Sequence, residues 1–152
     1  CLVGSEMCIR DRNKVILVCV FASLFQGCNS DDGTVSCVPN TIVNVSININ
    51  LPLYSNLNNP GGWVYVEGAT AGSRGLIVVR TASGFKAYDR NAPHICPGAE
   101  TTLYVKNDIS IVCDADNSEW ILLTGQPTKV ANRAPRTYQV YVNANGTLTI
   151  TN

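Results

Sequence analysis

The chain has 152 residues, with 11 basic and 11 acidic side chains and a formal net charge of zero. This length suits one domain with one hydrophobic core. The balanced charge excludes the basic footprint of a nucleic-acid-binding protein. Charged residues make up 14% and apolar residues 45% of the chain. Together with many Val, Ile, Thr, Asn and Gly residues, this composition is typical of an all-β secreted domain.

Residues 1–12 do not look like a natural protein start, and no Met initiates them. They resemble translated sequencing-adapter sequence, and we interpret them as a non-native segment outside the fold. On this interpretation Cys1 and Cys8 are not biological and the true start is missing. The alternative is a natural but disordered N-terminus.

Residues 13–27 have the pattern of an export signal. A basic start at Lys14 precedes an apolar run that is too short for a comfortable membrane span. Gly27 then precedes Cys28, which resembles the cleavage site of a bacterial lipoprotein, where the cysteine sulfur receives lipid. We therefore expect lipidation at Cys28. The alternative is a buried apolar helix or strand with an incidental cysteine.

The lipoprotein interpretation sets the expected organisation of the rest of the chain. Residues 28–40 are polar and patternless, which predicts a tether, and residues 41–152 form the domain. We expect the protein in the cell envelope, held by lipid on the periplasmic or outer-membrane surface. The sequence carries no polybasic patch that would add electrostatic membrane binding. No nucleic-acid partner is expected, and the sequence does not name a protein partner.

Beyond residue 40 every segment has strand length and none keeps a helical period. Residues 40–50 alternate, with Val43, Val45, Ile47 and Ile49 on one side, which predicts a half-buried strand. Residues 63–66 and 85–89 predict short strands. Residues 76–80 are almost continuously apolar, which predicts a strand buried on both faces.

The final hairpin allows its register to be predicted. A two-residue Asn145-Gly146 turn would split the apolar side chains of the two strands between two faces. A three-residue loop, residues 144–146, pairs Val142 with Leu148 and Val140 with Ile150. Because burial of one face specifies register, we expect the longer loop, with Gly146 at positive φ.

Two short loops enclose a further hairpin. Residues 101–111 alternate on both sides of an Asn107-Asp108 turn, so the loops before and after this segment should lie side by side. These loops hold the only histidine of the chain, His94, and the cysteines Cys96 and Cys113. A functional site is expected here.

This arrangement resembles a Rieske iron–sulfur domain. That family carries Cys-x-His in one loop and Cys-x-x-His in a second, and two histidines replace two cysteines on one iron of a [2Fe-2S] cluster. The resemblance spans about residues 51–152. It implies a Rieske-like antiparallel β-sandwich of stacked small sheets, and it implies that the Ala- and Pro-rich loop at 130–138 covers the site.

The resemblance also shows what the chain has lost. His94 and Cys113 match ligand positions, whereas Ala92 stands for the first-loop cysteine and Asp116 for the second-loop histidine. Because a methyl group cannot replace a thiolate, we expect a degenerate site and no bound cofactor. The alternatives are a [2Fe-2S] cluster, or a single zinc or iron ion on the remnant ligands His94, Cys113 and Asp116.

The same resemblance bears on the disulfides. Cys96 matches the bridging cysteine of the first loop, but Ala115 stands where its partner would be. Because the two loops should be close, we expect a Cys96–Cys113 disulfide. The alternative is two reduced, buried thiols. Cys37 is then free or paired in a way that the sequence does not show.

The expected function is a cluster-free binding or structural module anchored by lipid. Electron transfer through a cluster is the alternative. The chain has no Gly-x-Ser-x-Gly motif, and a Cys113–His94 pair is the only nucleophile arrangement to consider. We therefore do not expect an enzyme.

Overall fold

The computed structural model describes residues 34–152. These residues belong to one compact unit. The predicted non-native segment, the signal segment and the lipidation site at Cys28 lie outside them.

The described residues form ten β-strands and two short 3-10 helices, Pro52–Asn58 and Ala99–Thr101. The strands are β1 (Asn44–Asn48), β2 (Trp63–Val66), β3 (Leu76–Arg80), β4 (Phe85–Asp89), β5 (Tyr104–Lys106), β6 (Ser110–Cys113), β7 (Ser118–Ile121), β8 (Pro127–Lys129), β9 (Thr137–Val142) and β10 (Thr147–Thr151). The predicted all-β class is confirmed.

The strands build two sheets. Six of them form one sheet in the order β1-β10-β9-β4-β3-β2, and the other four form a second sheet in the order β5-β6-β7-β8. Every pairing is antiparallel. Six of the eight pairings join strands that are consecutive in the chain, and the two exceptions pair β1 with β10 and β4 with β9.

Strand β3 separates two hydrophobic cores. Leu76 and Val78 face the first core, which the six-stranded sheet surrounds, while Ile77 and Val79 face the second core, which lies against the four-stranded sheet. All four side chains have no exposed surface. Because side chains alternate along a strand, only a continuously apolar sequence satisfies both cores. The predicted two-sided burial is confirmed.

The last hairpin has the predicted register. Leu148 pairs with Val142 and Ile150 pairs with Val140, and Gly146 has a φ of 76°. The loop is therefore residues 144–146, closed by a hydrogen bond from the Asn143 N–H to the Thr147 carbonyl. Val142 is nevertheless 60% exposed, because it lies at the end of the hairpin.

The hairpin between the two site loops is also present. Strands β5 and β6 pair from Lys106–Ser110 to Tyr104–Val112. Asn107 and Asp108 both have left-handed backbone conformations, with φ of 53° and 58°. This geometry favours Asn and Asp among non-glycine residues, so the turn chemistry anticipated from sequence explains the hairpin.

Candidate functional site

The two site loops meet, as predicted, at one end of the β5–β6 hairpin. The His94 Nε2 atom of the first loop lies 2.7 Å from the Asp116 Oδ2 atom of the second. A backbone hydrogen bond from the Ala115 N–H to the Glu100 carbonyl also joins the two loops. The contact therefore involves both side chains and main chain.

A buried polar network fastens the start of the first loop, where β4 ends. The Asp89 carboxylate is 1% exposed and accepts hydrogen bonds from the Asn91 N–H and side-chain amide, at 2.7 and 2.8 Å. The Tyr138 hydroxyl donates to its other oxygen at 2.5 Å. Burial, and then this hydrogen bond, raise the pKa of Tyr138. The network satisfies a carboxylate that would otherwise be costly to bury.

The second loop is a four-residue turn between β6 and β7. Its last residue, Asn117, has a φ of 59°, a conformation that Asn tolerates better than most residues. The Ser118 N–H donates to the Asp116 Oδ1 atom at 3.0 Å. This Asx-type bond orients the Asp116 carboxylate toward His94.

Ser118 completes the site, and the sequence reasoning missed it. The Ser118 Oγ atom lies 3.1 Å from His94 Nε2 and also donates to Asp116 Oδ2. Ser118 is fully buried. The Asp-x-Ser spacing at the start of a strand was the available signal, because it favours a bond from the serine backbone to the aspartate.

The cluster His94, Asp116 and Ser118 is not a nucleophilic triad. In a triad the serine and the carboxylate contact different nitrogens of the imidazole, so that a proton can pass across the ring. Here both contact Nε2. The geometry is that of a tight polar cluster in which one ring nitrogen contacts both side chains.

The pKa of Asp116 reflects this cluster. Partial burial acts to raise it, but hydrogen bonds from His94 and Ser118 outweigh that effect and lower it to about 2. A carboxylate that accepts several hydrogen bonds is stabilised in its charged form. Asp116 is therefore held as an anion against His94.

The other face of His94 is turned to the second core. The His94 Nδ1 atom is buried and has no hydrogen-bond partner among the described residues. The ring meets the indole of Trp120 edge to face, with centroids 5.8 Å apart. The Trp120 N–H donates to the Arg133 carbonyl at 2.6 Å, so the Ala- and Pro-rich loop packs beside the site.

The predicted Cys96–Cys113 disulfide is wrong. Cys96 is bonded to Cys37 instead, with a Cα–Cα distance of 5.4 Å, and Cys113 is a free, buried thiol. The physical reason is side-chain direction: Cys113 shares the inward face of β6 with Ile111 and packs in the second core, whereas Cys96 lies beside the N-terminal segment.

A hydrogen bond from the Val35 N–H to the Pro93 carbonyl, at 2.9 Å, secures the same segment. Residues 34–40, assigned to a tether from sequence, are thus attached to the domain.

The remaining predicted site residues occupy structural positions. Ala92 is 1% exposed and packs in the second core. The Cys113 Sγ atom lies 3.8 Å from the Glu100 carbonyl, and burial raises the pKa of this thiol. Across residues 34–152, no three His, Cys, Asp or Glu side chains are grouped to hold a metal ion.

The donor set does not fit a [2Fe-2S] cluster. His94 Nδ1 and Cys113 Sγ are two suitable donor atoms in the second core. Ala92 offers none, and the Asp116 carboxylate is already bound to His94 and Ser118. A cluster of this kind needs four ligands. No chemistry that depends on such a cluster is therefore derived for this chain.

No protein-family model and no curated protein matches the chain. Among solved structures, it is similar to the ferredoxin of carbazole 1,9a-dioxygenase from Nocardioides aromaticivorans, with 19% identity and a TM-score of 0.42 over 73% of this chain and 96% of that one. It is also similar to a protein assigned as an NADH-dependent nitrite reductase small subunit from Mycobacterium tuberculosis, with 15% identity and a TM-score of 0.41 over 72% of this chain and 96% of that one. At these values the likenesses do not assign a family or a function.

The described residues contain no helix that is both long and apolar enough to cross a membrane.

Proposed function

We propose that this chain is a Rieske-like β domain that no longer binds an iron–sulfur cluster and that serves as a binding or structural module. It is held in the cell envelope by lipid on Cys28, and it is not an enzyme. The observation that carries the proposal is that Asp116 and Ser118 both contact His94 Nε2 at hydrogen-bond distance, where the two loops meet.

Three features support the Rieske-like part of the proposal. Two loops meet at one end of a β-hairpin, the first contributes His94 and the second follows Cys113. The fold around them is all-β and antiparallel, with two sheets. The Ala- and Pro-rich loop lies next to the site through Trp120. These features agree with what the resemblance implies.

The cluster-free part follows from ligand chemistry. Ala92 fills a core position with a methyl group, and Asp116 hydrogen-bonds with His94 where the family places a histidine. Hydrogen bonds to a charged group contribute about 1.5–3 kcal/mol each, so this replacement compensates the loop for the lost ligand. The loops therefore keep their contact without metal.

The first test is the metal and sulfide content of the full chain, purified without oxygen, together with its visible spectrum. We expect no stoichiometric iron, sulfide or zinc and no absorbance between 400 and 600 nm. Stoichiometric iron and sulfide would overturn the proposal in favour of electron transfer. One zinc or iron ion without sulfide would replace it with a mononuclear site on His94, Cys113 and Asp116.

A sharper test restores the missing ligands. The double variant Ala92→Cys with Asp116→His supplies two thiolates and two imidazoles at the positions that the resemblance indicates. We expect it to take up iron and sulfide and to turn red-brown, while each single variant stays colourless. A double variant that folds but binds no cluster would contradict the Rieske-like frame.

A further inference from the structure

One face of the six-stranded sheet packs against the four-stranded sheet over part of its width and is exposed over the rest. Tyr88 of β4 points into the second core, and its cross-strand partner is Thr137, which is exposed at the start of β9. Directly paired residues share a face of a sheet. The side that packs against the four-stranded sheet at β2, β3 and β4 is therefore exposed over β9, β10 and β1.

The register identifies the side chains on this open half. Asn44, Ser46 and Asn48 of β1 pair with Thr151, Thr149 and Thr147 of β10. Thr149 and Thr151 in turn pair with Tyr141 and Gln139 of β9. We name these eight residues the polar sheet face.

The polar sheet face is uncharged. None of its eight side chains is basic or acidic. The face also carries no aliphatic side chain. It is a grid of hydroxyls and amides around one aromatic ring.

Much of its hydrogen-bonding capacity is unused. The side chains of Asn44, Gln139, Tyr141, Thr147 and Thr151 form no hydrogen bond with another residue of the described part of the chain. At the centre, the Thr149 hydroxyl accepts from the Asn143 amide at 3.2 Å and lies 3.5 Å from Ser46 Oγ. A ligand could therefore bond to the face without breaking its internal contacts.

Tyr141 adds an aromatic platform to the grid. Its side chain is 58% exposed. In strand β9 it lies between Gln139 and the hairpin loop. A tyrosine presents an apolar ring and a polar hydroxyl together. Its neighbours across the strand, Thr149 and then Ser46, extend the contact area with donors and acceptors.

We propose that the polar sheet face binds a neutral polysaccharide. Such a chain is uncharged and rich in hydroxyls, so it can bond with the amides and hydroxyls of the face, while one sugar ring stacks on Tyr141. Strands about 4.8 Å apart present these groups in regular rows, which suits an extended chain of repeating units.

Other partner classes fit the face less well. A nucleic acid requires cationic side chains against its phosphates, and the face has none. The core of a stable protein interface is more apolar than the rest of the surface and is enriched in aromatic side chains, Met and Arg, whereas this face offers one aromatic ring and no aliphatic side chain, Met or Arg. A neutral glycan is the class that its chemistry favours.

The test is affinity electrophoresis of the full chain in native gels that contain dextran, hydroxyethylcellulose or laminarin, with anionic alginate as the comparison. We expect retardation in at least one neutral gel. Tyr141→Ala should weaken that binding by about tenfold, through the loss of ring stacking. Gln139→Lys should weaken it similarly by placing a charge on the face.

The matched control is Gln126→Lys, which adds the same charge at an exposed position beside β8 of the other sheet. It should leave retardation unchanged. No retardation in any neutral gel, retardation in alginate only, or equal effects of Gln139→Lys and Gln126→Lys would each overturn the proposal. A dimer in sedimentation that Tyr141→Ala converts to a monomer would also overturn it, because the face would then bind a second copy.

Discussion

The two cores of this protein differ in what they contain. The first core is built from alternating apolar side chains of the six-stranded sheet, with Tyr138 as its polar edge. The second holds the free thiol of Cys113, Ala92 and Trp120, and it opens onto the His94 cluster. The second core adjoins the candidate site, and the first core contacts the first site loop through the hydrogen bond from Tyr138 to Asp89.

The two cores share strand β3, but only the second lies next to the candidate site. Ala92, which offers no metal-ligating atom, lies in the second core. Ala92 packs there as an ordinary apolar residue.

The largest expected effect comes from the disulfide, which fastens the N-terminal segment to the second-core side. The Cys37–Cys96 bond closes a separation of 59 residues, which corresponds to about 4 kcal/mol in the chain-entropy model. We expect the double variant Cys37→Ser, Cys96→Ser to lose about this much free energy of unfolding in urea titrations. Wild-type protein under reducing conditions should match it.

The variant Cys113→Ala is the control for this prediction. Its free energy of unfolding should keep the same sensitivity to reductant as wild type. If Cys113→Ala abolishes that sensitivity, the disulfide in solution is Cys96–Cys113 and not Cys37–Cys96.

Next in size are matched truncations in the two cores. Leu148→Ala in the first core and Leu122→Ala in the second each remove a side chain with no exposed surface, and each should cost about 3 kcal/mol. Only Leu122→Ala should speed the alkylation of Cys113, measured by peptide mass spectrometry. Equal alkylation in both variants would show that the cores open together.

The Asp116–His94 contact should have a smaller, pH-dependent effect. The folded pKa of about 2 lies below the ordinary value of 3.8, so the contribution of Asp116 is complete above about pH 4 and is lost as the pH falls toward 2. At neutral pH, Asp116→Asn should cost about 1–2 kcal/mol, because charged hydrogen bonds are lost. Its unfolding free energy should fall less than that of wild type between pH 4 and 2.

Asp114→Asn provides the matched control at the neighbouring exposed carboxylate. It should leave the acid dependence between pH 4 and 2 nearly unchanged. If Asp114→Asn removes the acid dependence and Asp116→Asn leaves it unchanged, the stabilising carboxylate is that of Asp114 and the prediction is wrong.

The smallest expected effect is a gain in stability. Val130 has a φ of 61°, and the Ala131 N–H bonds to the Lys129 carbonyl at 2.7 Å, a tight turn that is strained for a β-branched residue. Because Val130 is 65% exposed, Val130→Gly should raise the unfolding free energy by up to about 1 kcal/mol. Val142→Gly, in the exposed end of β9, should instead lower it by about 0.5–1 kcal/mol.

Several features of the site were predictable because neighbouring residues encode them. The turn at Asn107 and Asp108 placed the two loops together, and alternation in the last hairpin set its register and the positive φ of Gly146. Such features depend on side-chain period and turn chemistry within about ten residues. They could therefore be predicted without knowing where distant segments lie.

The disulfide was not predictable for the opposite reason. The partner of Cys96 depends on where the N-terminal segment packs and on the inward direction of the Cys113 side chain. The residues around Cys96 indicate neither. Ser118 joined the cluster through the same kind of long-range contact with His94.

The sequence by itself determined the strands, their hairpins and the absence of a donor atom at Ala92, because period, turn residues and donor atoms are local properties. Only the tertiary structure decided the Cys37–Cys96 pairing, the closure of the loops by Ser118 and the open half of the large sheet. These depend on contacts between residues far apart in the chain, which the packing of two sheets around β3 establishes.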